Sequence, residues 1–126
     1  MSLRTPLGKA LGLGSAKDGT GHWWSQRVTA AALAILGLWF AIALAGLDGF
    51  DFQTVRLWLG APLNSILLII LVATLFYHSS LGVQVVIEDY VHEDGGKVIA
   101  LVLAKFIHLF AAVVGIFAVL RISFGA

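Results

Sequence analysis

A histidine inside a long apolar run is the first residue of this sequence that demands a chemical reason. His78 lies nine residues before Ile87, about 14 Å from that end of a helix rising 1.5 Å per residue. A polar side chain at such depth costs free energy unless it is paired or used. A neutral imidazole in a low-dielectric site is a good axial ligand for haem iron. The plainer role is a hydrogen bond to a neighbouring helix. His78, Gly82, Val85 and Asp89 follow at i, i+4, i+7 and i+11, one face of a helix. Gly82 removes a side chain one turn from the imidazole, so a flat group or a second helix can come close to the backbone.

Asp89 and Tyr90 end the same run. A phenol beside a carboxylate can donate a hydrogen bond to a quinone carbonyl, with the acid orienting it or handling protons. An interfacial tyrosine next to a helix-ending acid is the structural alternative. His22 and Arg27 stand before the first apolar run. A guanidinium makes charge-assisted, often bidentate bonds to carboxylates such as haem propionates. It also serves simply as a topogenic charge against lipid phosphate. His108 lies eleven residues after Lys97, at a depth similar to that of His78 in the antiparallel neighbour. A haem held by both histidines of one chain is therefore thinkable, although Lys105 three residues earlier sets a cation on nearly the same face. Polar contacts with other helices or with propionates are the plainer explanation of the pair. Ser79 and Ser80 can bond back to carbonyls one turn earlier.

These residues need long apolar elements to hold them, and the composition supplies those. The chain has 126 residues, of which 60% are hydrophobic and only 12% charged. Soluble domains carry about twice that charge, and disordered chains are polar, so both classes are excluded. No cysteine is present, which excludes disulfides, zinc–thiolate sites, thiolate-held iron–sulfur clusters and cysteine nucleophiles in this chain. A net charge of +1 argues against nucleic-acid wrapping.

Three runs are long enough to cross a hydrocarbon core of about 30 Å as helices. Val28–Leu47 carries no charge, with Trp23 and Trp24 ahead of it as interfacial anchors. The second opens near Pro62, which suits a first helical turn, and the third runs from near Lys97 to Leu120. The expected fold is an all-α integral membrane protein, three transmembrane helices in an antiparallel bundle that forms part of a heteromeric membrane domain. The expected spans are about 26–47, 63–90 and 97–121. Residues 1–21 read as a flexible cytoplasmic tail, and 22–126 as the membrane domain. The connection holding Arg56 and Trp58 has room for a helical turn on the interface. The Gly95–Gly96 pair reads as a stop and turn. Helices rather than barrel strands follow, because the runs are uniformly apolar and do not alternate. Arg4, Lys9, Lys17, Arg27 and Lys97 fall on one side, against Arg56 and Arg121 on the other. The bias puts the N-terminus inside and the C-terminus outside.

The stretch from His78 through Gly82 to Asp89-Tyr90-Val91-His92 resembles the H-x3-G-x6-D-Y segment of one family. That family is the hydrophobic membrane-anchor subunit of succinate dehydrogenase (respiratory complex II), the smaller of its two haem-anchoring subunits. The entrance segment His22-Trp-Trp-Ser-Gln-Arg27-Val-Thr29 is similar to that family's lead into its first helix. The resemblance implies that His78 is one axial ligand of a haem b, the other coming from a second haem-anchoring membrane subunit. It implies that Tyr90 hydrogen-bonds ubiquinone, that Asp89 supports that site, and that Arg27 and His22 lie near the haem propionates. It implies iron–sulfur and flavoprotein partner subunits that carry out succinate oxidation, so this chain would be a non-catalytic part of the enzyme. The implied location is the inner membrane of a bacterium or a mitochondrion. No role is carried onto Lys105 or His108. Competing readings are an anchor of a quinol:fumarate reductase, a non-redox three-helix assembly protein, and a small transporter lined by Lys105, His108 and His78.

Overall fold

The computed structural model of the chain describes residues 5–10 and 16–125. Among the described residues five helices follow in order: α1 (Pro6–Ala10), α2 (Ala16–Ala45), α3 (Phe52–Gly60), α4 (Pro62–Tyr90) and α5 (Asp94–Ser123). Three of them are long and apolar enough to cross a membrane, within Thr20–Ala45, Pro62–Tyr90 and Asp94–Ser123. Satisfying every backbone group internally is what makes a helix the solution in hydrocarbon. The 29 residues of α4 extend about 44 Å, so its ends project beyond a core of about 30 Å.

The helix boundaries differ from the sequence-based expectation in two informative places. Pro6–Ala10 is helical and α2 begins at Ala16, both inside the segment read as a flexible tail. Pro6 suits a first helical position, and the α2 ladder runs on past the edge of the apolar run; residues 1–4 and 11–15 lie outside the described part of that tail. The second difference is at Gly95 and Gly96, which form the first turn of α5 rather than a stop. The Glu93 carboxylate caps that turn by accepting from the Gly95 N–H at 2.9 Å and from the Gly96 N–H. A Cβ would lie 2.8 Å from the capping oxygen at Gly95 and 2.6 Å at Gly96. The two glycines therefore make room for the cap.

α3 is the helical turn expected between the first two spans. Asp51 caps it, accepting from the backbone N–H groups of Gln53 (3.0 Å) and Thr54 (3.1 Å) and from the Thr54 hydroxyl (2.6 Å). The Thr54 hydroxyl, then its backbone N–H, hold the Asp51 carboxyl below its ordinary range. α3 ends because Ala61 precedes Pro62 and is extended, at φ −68° and ψ 124°.

α4 is the central helix. It packs against α2 on one side and α5 on another, and α2 and α5 are not neighbours among the described residues. Gly115 of α5 lets the two helices pack closely, since a Cβ there would meet Val72 Cγ1 at 3.0 Å. A polar knot fastens α3, α4 and α5 at the far end. The buried Ser65 hydroxyl donates to Leu59 O, and Ser123 Oγ donates to Ser65 Oγ at 2.5 Å. Trp58 of α3 stacks on Trp39 of α2 with centroids 5.9 Å apart. Only Leu71, Leu81 and Val119 are buried apolar side chains among the described residues. The rest of the apolar surface faces outward, as lipid or a protein partner requires.

Candidate functional site

The contact between α2 and α4 places His78 where its two ring nitrogens have different environments. Nδ1 lies 2.8 Å from the hydroxyl oxygen of Thr29. Nε2 has no hydrogen bond among the described residues. The ring is half-buried. Thr29 in turn donates to Ser25 O at 2.6 Å and lies 3.2 Å from Gln26 O, the usual way a hydroxyl is accommodated in a helix.

His22, Gln26 and Thr29 repeat at i, i+4 and i+7, so α2 presents one polar stripe. Gln26 reaches Gly82: a Cβ at Gly82 would stand 3.8 Å from Gln26 Nε2, an ordinary contact. The packing of α2 on α4 therefore does not itself require a glycine at position 82, and the bare backbone there is clearance. Two atoms of the stripe are buried without a hydrogen bond among the described residues, His22 Nε2 and Gln26 Oε1. Buried polar atoms without partners are rare in finished structures and ask for a partner.

Arg27 is exposed, with its guanidinium 5.4 Å from the centre of the Trp23 ring, a stacking geometry natural to arginine. No ion pair joins Arg27 to an acid among the described residues. Tyr90 is 78% exposed at the end of α4, and Asp89 beside it is also exposed. The twelve residues from His78 to Tyr90 amount to about 18 Å along the axis. His22, Arg27, Asp89 and Tyr90 thus belong to the same end of the antiparallel α2–α4 pair, with His22, Asp89 and Tyr90 one or more turns beyond His78.

His108 is placed differently. Its Nε2 lies 3.1 Å from Ser79 Oγ and its Nδ1 2.7 Å from Ala104 O. Both ring nitrogens are engaged. The His78 ring is held by Thr29 of α2, whereas the His108 ring is held by Ser79 of α4 and by Ala104 of its own helix. Lys105 and His108 line a groove of about 540 Å³ between α4 and α5, together with Tyr77 and Gln84, and His78 does not line it. Ser80 bonds back to Tyr77 O at 2.7 Å, whereas Ser79 uses its hydroxyl on His108.

Sequence reasoning alone misses Thr29 and Gln26. The i, i+4, i+7 spacing of His22, Gln26 and Thr29 is the available signal for the α2 face that meets His78.

Residues 1–119 match the family described as succinate dehydrogenase/fumarate reductase transmembrane subunit. The chain belongs to that family. It is 42% identical over 88 residues to the succinate dehydrogenase hydrophobic membrane anchor subunit of Rickettsia bellii, covering 70% of each chain. It is 29% identical over 122 residues to the subunit of the same name from Paracoccus denitrificans, covering 97% of this chain and 94% of the relative. The succinate dehydrogenase membrane anchor subunit of Reclinomonas americana is 37% identical over 95 residues, 72% of this chain and 78% of that one.

A b-type haem is the prosthetic group this family implies, and the donor set offers one fit for it. A histidine that would hold haem iron needs one ring nitrogen free and the other anchored, and His78 meets both conditions. The clearance at Gly82 and the unpartnered His22 Nε2 lie along the same α2–α4 contact. His108 fails the first condition.

Proposed function

We propose that this chain is the membrane anchor of a succinate:ubiquinone oxidoreductase. It tethers the flavoprotein and iron–sulfur subunits to the bilayer, shares a haem b with a second anchor subunit, and contributes to the site where ubiquinone is reduced. The observation that carries the reading is the state of His78: half-buried within a spanning helix, Nδ1 held by Thr29, Nε2 unengaged. The relatives named as succinate dehydrogenase anchors support it and favour succinate oxidation over fumarate reduction as the direction.

In this reading His78 would hold the haem iron through Nε2, and His22 and Arg27 would bind the propionates. When bound, the haem supplies a one-electron carrier within the membrane. The protein's part is placement. Tyr90 donates its phenol hydrogen bond to a quinone carbonyl, and Asp89 orients that phenol and takes part in proton delivery. The exposure of both residues suits a pocket completed by partner subunits. Electrons reach this membrane end from iron–sulfur clusters in another subunit, since this chain has no cysteine to hold one. The cationic excess at the N-terminal end favours that end being inside, in a bacterial cytoplasmic or mitochondrial inner membrane.

Removing the chain from its native membrane tests the anchor role. Succinate dehydrogenase activity towards a soluble dye should leave the membrane fraction, with the flavoprotein and iron–sulfur subunits recovered in the soluble one. Membrane-bound activity at the wild-type level contradicts the proposal.

A further inference from the structure

The Thr29 hydroxyl has one proton and three polar neighbours. Its oxygen lies 2.6 Å from Ser25 O, 3.2 Å from Gln26 O and 2.8 Å from His78 Nδ1. Carbonyl oxygens have no proton to give, so the 2.6 Å contact to Ser25 needs the proton of Thr29. The hydroxyl then meets His78 with lone pairs only. The bond between them therefore runs from Nδ1–H of the imidazole to the threonine oxygen. A neutral imidazole carries a single N–H. His78 is consequently held as the Nδ1–H tautomer, with a bare lone pair on Nε2.

We infer that Thr29 is the positioning residue for haem ligation by this chain. It selects the tautomer that can bind iron through Nε2 and fixes the aim of the ring. By accepting from Nδ1–H it also strengthens the nitrogen donor on the other side of the imidazole. The back-bond to Ser25 is the device that does this. A threonine without it could donate to Nδ1 and stabilise the opposite tautomer, which cannot ligate through Nε2. The inference rests on the reading of His78 as an axial ligand.

Stronger donation favours the ferric iron, which bears the greater positive charge, so losing the acceptor raises the reduction potential. The test uses the purified native complex with Thr29→Val, Thr29→Ser and, as a separate arm, His78→Ala. Valine keeps the branched shape without an acceptor; serine keeps the hydroxyl and its back-bond. The readouts are haem content, the midpoint potential of the haem and the low-spin ferric g-values. Thr29→Val should give a more positive potential and shifted g-values, while Thr29→Ser stays at the wild-type position. Haem loss in the valine variant with retention in the serine variant supports the same role. Wild-type potential and g-values in Thr29→Val overturn it, as does haem loss in both variants. Full haem content with an unchanged spectrum in His78→Ala instead overturns the ligand reading beneath it, so the two failures are distinguishable.

Discussion

His108 is joined to Ser79 across the α4–α5 contact, Nε2 to Oγ at 3.1 Å, and its Nδ1 lies 2.7 Å from Ala104 O. With both nitrogens engaged, the ring has none free for a metal. Replacing it by alanine should leave the haem spectrum of the complex in place. It should weaken the α4–α5 pair by roughly 0.6–2 kcal/mol, the range for interhelical hydrogen bonds in membranes, seen as a lower thermal midpoint in detergent. Loss of the haem spectrum in an otherwise assembled complex would contradict this assignment.

Tyr90 is tested through two electron acceptors. Tyr90→Phe keeps the ring and removes the hydroxyl that would bond the quinone. Ubiquinone reduction should fall about 10²-fold or more, within the usual range for losing a positioned proton donor. Succinate oxidation by a soluble dye should stay near wild type, because the proposed function puts that chemistry in another subunit. Wild-type rates with both acceptors would remove Tyr90 from the quinone site.

Arg27 lies over Trp23 and has no acid partner among the described residues. Its charge is therefore free for an anionic group. Arg27→Ala should lower haem retention or ubiquinone turnover, and Arg27→Lys should restore it only in part, because an ammonium lacks the planar fork. Wild-type behaviour of the alanine variant in both assays would reduce Arg27 to a topological charge.

Gly115 offers a test of packing alone. A side chain there must displace Val72, whose methyl would stand 3.0 Å from the new Cβ. Gly115→Leu should destabilise the assembled complex by about 1–3 kcal/mol, the usual cost of overpacking. The readout is the thermal midpoint, and an unchanged midpoint would show that α4 and α5 separate without cost.

Much of this arrangement is legible in the residues themselves. Runs of uncharged residues such as Val28–Leu47 specify spanning helices through length alone, and Pro62 marks the start of α4. The Gly95–Gly96 pair misleads for a physical reason. Glycines usually break helices, but here they clear space for the Glu93 carboxylate, a relation visible only once the cap is formed. His78 stands out by type and depth. Its partner Thr29 does not, because spacing within one helix tells which residues share a face, not which face another helix meets. His108 looks equivalent to His78 for the same reason. The Ser79 contact that separates them depends on the register of α4 against α5.

The ligand assignment of His78 is tested most directly by a dithionite-reduced minus oxidised visible spectrum of the purified complex, wild type beside His78→Ala. The wild type should give a b-type signal that is lost or strongly altered in the variant. An identical signal in both, with the complex intact, would place the iron ligand elsewhere and contradict the assignment.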